Sequence, residues 1–391
     1  MGQDDAPIFE IREGNIDSGL RGIPVGTCQT SFVDPTEGVH YVGYPVEDLA
    51  NLEEEDVIYL LFNKRLPTEE ESLDFRKELA HRAEEMPTGA LRVLESLTPG
   101  SGHPMDWLST GILALGISDT TGDLRTDSMN LVARMPELMA RIFHLRGGKK
   151  LETRDSRPQL GLVENFTHML GISGDQAERM NRVLRFFFIL LMDHGGGNLS
   201  TFSGKAVASG RASIYAAISS AMSALSGPLH GRANQSCLEF VKRIGTDDPA
   251  DIESFVRREL SARRPIYGFG HGVLRAEDPR ARLLIELGDE VCPDDPDFRT
   301  VKALREVVPP ILSEIPKISN PYPNVDIASG ALLQSVGFRK PDYYTTFFGW
   351  SRVAGITAQI LDERNSRDGR GIPIYRPKYL AKNQPIRRLE S

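Results

Sequence analysis

From Val46 onward, apolar residues recur at helical spacing, and no later stretch returns to the alternation expected of strands. Ahead of it, residues 8–45 hold the extended segments. Gly38-Val39-His40-Tyr41-Val42-Gly43-Tyr44 is punctuated by glycine, which predicts short strands or hairpins. Helix starts are legible as capping signals. Thr68 with Glu71, and Asp175 with Glu178, each pair an oxygen-bearing cap with a glutamate three residues on. Asp248 before Pro249 sets a cap ahead of a residue whose missing N–H is harmless in the first turn. The helix from Asp175 is expected to run to Asp193. Its segment 186–192 is apolar on every face, which predicts full burial, and it is far shorter than the ~20 residues a bilayer requires. Pro136 and Pro309-Pro310 fall inside helical patterns and predict a kink or break. Further helices are expected over 107–117, 251–262, 280–291, 298–315 and 343–361. The fold class that follows is all-α with minor β near the N-terminus. Residues 227–331 read as a small helical domain set into a large one made of 1–226 and 332–391.

Four turns carry the candidate chemistry. In 264–280, Gly268, Gly270 and Gly272 alternate with Phe269 and His271, so the backbone can turn sharply and approach a ligand closely. Arg275 and Arg280 follow, and arginine gives a planar, two-point grip on carboxylate or phosphate. The spacing is not the dinucleotide fingerprint, which needs G-x-G-x-x-G after a strand. Gly227-Pro228-Leu229-His230-Gly231 repeats a histidine in a Gly/Pro turn, and Asp193-His194-Gly195-Gly196-Gly197-Asn198 gives a third. Pro323-Asn324-Val325-Asp326 puts a carboxylate at the opening of an apolar helix. Arg352 stands among Phe347, Phe348, Trp350 and Ile356, where an unpaired guanidinium is costly, so a ligand or ion pair is expected for it. The chemistry implied is a carbonyl or carboxylate substrate polarised by histidine and held by arginine.

Composition narrows the classes. With 40% hydrophobic and 26% charged residues, the 391-residue chain is ordinary globular material for one large domain or two unequal ones. A net charge of −8 argues against a nucleic-acid surface. Cys28, Cys237 and Cys292 cannot all pair and lack metal-ligand spacing, which favours a reducing compartment and no metal. The N-terminus, Met1-Gly2-Gln3-Asp4-Asp5, is acidic and polar, unlike a signal peptide or an Arg-rich transit sequence, so a cytoplasmic location without membrane attachment is expected.

The four turns, in this order, resemble the citrate synthase family. The separations of 36, 41 and 55 residues between His194, His230, His271 and Asp326 are similar to that family's. The resemblance runs from about His103-Pro104-Met105 to Arg376-Pro377-Lys378, most of the chain. It implies a two-domain helical fold that condenses acetyl-CoA with oxaloacetate, using the CoA thioester as substrate and no cofactor. By the family pattern Asp326 is the base, His230 stabilises the enol and His271 polarises the keto oxygen. His194, Arg280 and Arg352 would hold oxaloacetate, joined by Arg376 from the second subunit of a homodimer. Arg275 with Gly268, Phe269 and Gly270 would meet CoA. The Ala- and Ser-rich stretch 213–226, suited to close helix approach, corresponds to a dimer-interface helix. Between Gln359 and Arg376 the chain is a few residues longer than the animal-type pattern, so Arg367 and Arg370 remain alternatives to Arg376.

Three rival readings follow. A 2-methylcitrate synthase would use propionyl-CoA, and one methylene is worth only about 1–3 kcal/mol in an apolar pocket. A non-catalytic CoA-binding protein on the same fold is disfavoured by the joint presence of His230, His271 and Asp326. His194-Gly195-Gly196-Gly197 is similar to the oxyanion loop of lipase-type hydrolases, but no G-x-S-x-G elbow follows it.

Overall fold

The computed structural model describes residues 9–84, 86–148, 155–380 and 387. Among them are sixteen α-helices and one small antiparallel sheet. The sheet joins Ser31–Asp34 to Gly38–Tyr41 and then to Tyr44–Pro45, with Ser31 opposite Tyr41 and Phe32 opposite His40. Its importance is positional. Tyr41 is fully buried, and its hydroxyl donates to the carbonyl of Ile189 (3.0 Å) and accepts from the amide of Asp193 (3.1 Å). The sheet thus anchors the end of the helix that delivers His194.

The helix Tyr344–Asn365 forms the centre of the larger body and is buried on nearly every face through Leu361. Phe166 and Phe338 pack edge-on against its Phe347, and Phe166 also meets its Trp350 at a tilt. Gly355 lets this helix touch the turn after the Asp175–Leu191 helix. A Cβ there would lie 2.2 Å from the carbonyl of Met192 and 2.8 Å from Cβ of Asp193. The helices Ala233–Ile244, Pro249–Ser261, Pro279–Val291, Pro296–Ser313 and Asp326–Ser335 pack mainly on each other. Gly288 meets Phe298 and Gly330 meets Leu238 in this group, with no room for a side chain at either glycine.

Capping signals fare unevenly. Thr68 and Glu71 form the expected reciprocal box, and Asp248 accepts from the amides of Ala250 and Asp251. Asp175, however, is the first helical residue; the cap is Gly174 at φ +64°, and no side chain serves there. A glycine can adopt that left-handed backbone freely, which displaces the capping role by one residue. The prolines do not break their helices either. Leu124–Arg146 runs through Pro136, and Pro296–Ser313 runs through Pro309 and Pro310. Each proline removes one backbone hydrogen bond. Burial of Met135, Leu138 and Met139, and of Val308, Ile311 and Leu312, holds the flanking turns in place. Among the described residues no helix is long and apolar enough to cross a membrane.

Candidate active site

The helix Asp175–Leu191 ends where helix Tyr344–Asn365 crosses it. Arg352 Nε donates to the carbonyl of Leu191 (2.6 Å) and Ser351 Oγ to that of Phe188 (2.5 Å). The chain then turns through Asp193 and His194 to Gly195, which sits at φ +67° and donates its amide to Ser31 Oγ (2.7 Å). The His194 ring emerges beside His271, their centroids 5.3 Å apart. Burial disfavours a charged His194, as do the Arg280 and Arg352 guanidiniums and His271, so its pKa lies well below the usual histidine range.

The other two histidines are neutral and have fixed tautomers. His230 Nε2 accepts from the Ser200 amide (3.1 Å), an otherwise unpaired donor in the first turn of the helix Leu199–Ser209. Ser200 Oγ lies 3.0 Å from the same nitrogen. The proton therefore sits on Nδ1, which is left to donate elsewhere. His271 Nδ1 accepts from the amides of Val273 (3.1 Å) and Leu274 (3.0 Å), so its proton is on Nε2. Burial, then Arg352, lowers the His230 pKa to about 4. Burial, then Arg280, does the same for His271, also to about 4.

The glycine turn and the Asp326 loop are sewn together along their backbones. Gly270 N donates to the carbonyl of Tyr322 (3.0 Å) and Asn324 N to that of Gly268 (2.9 Å). Asn324 Nδ2 reaches the carbonyl of Gly270 (2.8 Å), while its Oδ1 accepts the amide of Asp326 (3.0 Å). Gly268 and Gly270 both have positive φ, +84° and +83°, and a Cβ on Gly268 would strike Ile327 and Cys237. Asp326 opens the helix Asp326–Ser335. Burial raises its pKa to about 6, against the pull of Arg280 and Arg352.

The arginines differ. Arg280 is 2% exposed and clamped by Asp278, Nε to Oδ1 at 3.0 Å and Nη2 to Oδ2 at 2.8 Å, which leaves Nη1 buried without a partner. Arg352 is 3% exposed, lies 4.8 Å above the Phe348 ring and has no carboxylate in ion-pair range among the described residues. Burial lowers its pKa to about 10. Two buried guanidiniums with unspent donors form a receptor for a compact dianion.

Comparison with known proteins settles the family. A family model described as citrate synthase, C-terminal domain, matches residues 19–378. The chain belongs to the citrate synthase family. A mitochondrial citrate synthase of Arabidopsis thaliana is 33% identical, the alignment covering 96% of this chain and 84% of the relative. One from Citrus maxima is 34% identical, over 92% and 80%. The solved citrate synthase of Thermotoga maritima superposes with a TM-score of 0.80 at 31% identity, covering 94% of this chain and 96% of that one. The Thermoplasma acidophilum citrate synthase, solved with carboxymethyl coenzyme A and oxaloacetate, has a TM-score of 0.83 at 22% identity and shares the fold. Family membership makes the chain an acyltransferase that forms a carbon–carbon bond. One expectation is corrected here: the Arabidopsis, Citrus and Daucus carota relatives are named as mitochondrial, which overturns the cytoplasmic reading. That reading leaned on an acidic N-terminus, which says nothing about the location of relatives.

Six of the expected residues come together: His194, His230, His271, Arg280, Asp326 and Arg352. Two do not. Arg275 is exposed and folds back on the carbonyls of Val273 and Leu274. Arg376 is exposed on the rim of a separate cleft of about 490 Å³, which it lines with Cys28, Lys205, Gln359 and the alternative Arg367. Sequence reasoning missed Ser200, Asp278 and Gln359. Asp278 was within reach, two residues before Arg280 and ahead of a proline. Nothing local marked the other two.

Proposed function

We propose that the cleft joins the methyl carbon of acetyl-CoA to the keto carbon of oxaloacetate, and that His230, His271 and Asp326 carry the chemistry. Asp326, with its pKa near 6, is a stronger base than an ordinary carboxylate yet ionised at neutral pH. It takes a proton from the thioester methyl group. His230, neutral with its N–H on Nδ1, donates to the thioester oxygen as the enol forms. The enol carbon attacks the keto carbon, the enol proton returns to His230 Nδ1 as the thioester carbonyl re-forms, and the keto π electrons move to their oxygen, which takes the Nε2 proton of His271. Water then cleaves the citryl thioester to release CoA. Arg280, Arg352 and His194 hold the two carboxylates of oxaloacetate, and Arg275 with the Gly268–Gly270 backbone meets CoA. The observation that carries this reading is the pair of neutral histidines whose acceptor nitrogens are already occupied, so each has a single N–H to give.

The chain works as a homodimer, with Arg376 completing the partner's site. Its exposed position away from its own cleft supports this, as does the apolar face of the helix Pro104–Asp119, where Leu113 is 48% and Ile117 80% exposed. Residues 227–331 close as a domain on 1–226 and 332–391, hinged near Gly227-Pro228 and Gly330, because an enol must be shielded from water. Steady-state kinetics with oxaloacetate and either acetyl-CoA or propionyl-CoA test the substrate. A higher kcat/KM for acetyl-CoA is expected, and a preference for propionyl-CoA would make the enzyme a 2-methylcitrate synthase. Small-angle scattering should show a more compact particle once oxaloacetate is bound.

A further inference from the structure

The His194 ring is hydrogen-bonded to its own residue's backbone and lies tilted beside His271, so its aim follows the turn that carries it. One side chain grips both sides of that turn. Gln359 Nε2 donates to Asp193 Oδ1 (2.7 Å) and to the carbonyl of Gly195 (3.1 Å), spanning His194. Gln359 and Asp193 are 2% and 0% exposed, so neither contact is shared with bulk water. Asp193 also accepts the His194 amide (2.8 Å) and, through Oδ2, the Thr30 hydroxyl (2.5 Å). The orientation of the amide is decided by its far side. Oε1 faces Lys205 Nζ at 3.4 Å, and Lys205 is itself paired with Glu363 at 2.7 Å. The position needs two N–H donors toward oxygen acceptors and one acceptor toward a cation. Glutamine alone of the side chains of this length supplies that set, and glutamate would oppose Asp193 with like charge.

Gln359 also lies on the same face of its helix as Arg352 and Gly355, at positions i, i+3 and i+7. Gly355 sets how closely the helix meets the turn, Arg352 grips Leu191 ahead of it, and Gln359 grips it on both sides of His194. We propose that Gln359 is a positioning residue for substrate, locking the His194 imidazole in register with the Arg352 guanidinium so that both meet one dicarboxylate. The inference rests on the assignment of His194 and Arg352 to oxaloacetate.

The test uses the full-length enzyme with Gln359→Leu and, acting on Asp193 from another element, Thr30→Val. Oxaloacetate binding is measured by titration calorimetry, acetyl-CoA KM at saturating oxaloacetate, and the thermal midpoint by calorimetric scan. Gln359→Leu should weaken oxaloacetate binding about 10–100-fold, the scale expected when a bound group is misplaced by an ångström. Thr30→Val should weaken it in the same direction by less. Acetyl-CoA KM should stay within about twofold, a split that a general packing loss would not give. Unchanged oxaloacetate affinity in both variants overturns the proposal, as does an equal loss toward both substrates. Should Gln359→Leu fail to fold, Thr30→Val decides alone. His194→Ala separates the two layers. If it too leaves oxaloacetate affinity unchanged, the site assignment falls; if it weakens binding while the other variants do not, only the role of Gln359 falls.

Discussion

The wall of the cleft built on the His194 turn is knit by side chains, whereas the wall from Gly268 to Asp326 is knit by backbone. On the first, Tyr41, Thr30, Gln359 and Arg352 reach in from three separate segments to fix one turn. On the second, two loops exchange amide–carbonyl bonds around glycines that no other residue could replace without strain. The charges are divided in the same way. The first wall holds Arg352, with no carboxylate in ion-pair range among the described residues, which suits it to the proposed grip on a dicarboxylate. The second holds a histidine of fixed tautomer and a carboxylate near pKa 6, the reactive groups of the proposed mechanism, beside an Arg280 clamped by Asp278. Binding needs charge held rigidly out of water. Chemistry needs proton donors and acceptors whose states are preset.

The sharpest way to break this division is to remove the base. Asp326→Asn should cut kcat by about 10²–10⁴-fold while oxaloacetate affinity, measured calorimetrically, stays close to wild type. Turnover near normal would place the chemistry elsewhere. Next in size is the receptor wall. Arg352→Gln should weaken oxaloacetate binding by about 10–100-fold, since hydrogen bonds to a charged group are worth about 1.5–3 kcal/mol. Acetyl-CoA KM should barely move.

A smaller effect tests whether the first wall is complete within one chain. Asp326→Ala and Arg376→Ala are each expected to be inactive. Refolded together, about half of the dimers are mixed, each with one intact site, so activity should return to about a quarter of wild type. Mixed dimers seen by native mass spectrometry without recovery would return the role to Arg367 or Arg370.

The smallest expected effects concern pH and stability. The log of kcat/KM should rise with pH through about 6 as Asp326 ionises, and then stay level. Protonation of His230 and His271 should intrude only near pH 4. Folding raises the Asp326 pKa from 3.8 to about 6, so the folded state holds this proton more tightly. Its contribution favours folding below pH 3.8 and is lost as pH climbs through 6, which makes ionised Asp326 a cost at neutral pH. Asp326→Asn should therefore melt higher than wild type at pH 7.5, by about 1 °C for each kcal/mol relieved in a chain of this length. At pH 4 that gain should shrink.

Much of the molecule is settled within a few residues of sequence. Thr68 with Glu71 and Asp248 with Pro249 cap their helices through contacts three residues long or shorter. The histidine turns were visible because glycine and proline leave local marks, and Asp326 because it opens an apolar helix. Tertiary structure decided the rest. It carried helices through Pro136 and Pro309-Pro310, where side-chain burial outweighs a lost hydrogen bond. It chose the His230 tautomer through Ser200, 30 residues away, and fixed His194 through Gln359, 166 residues from Asp193. A sequence displays its residue types, but a proton's place on an imidazole and the counter-charge of an arginine depend on which distant atoms arrive within 3 Å, and only the folded chain brings them there.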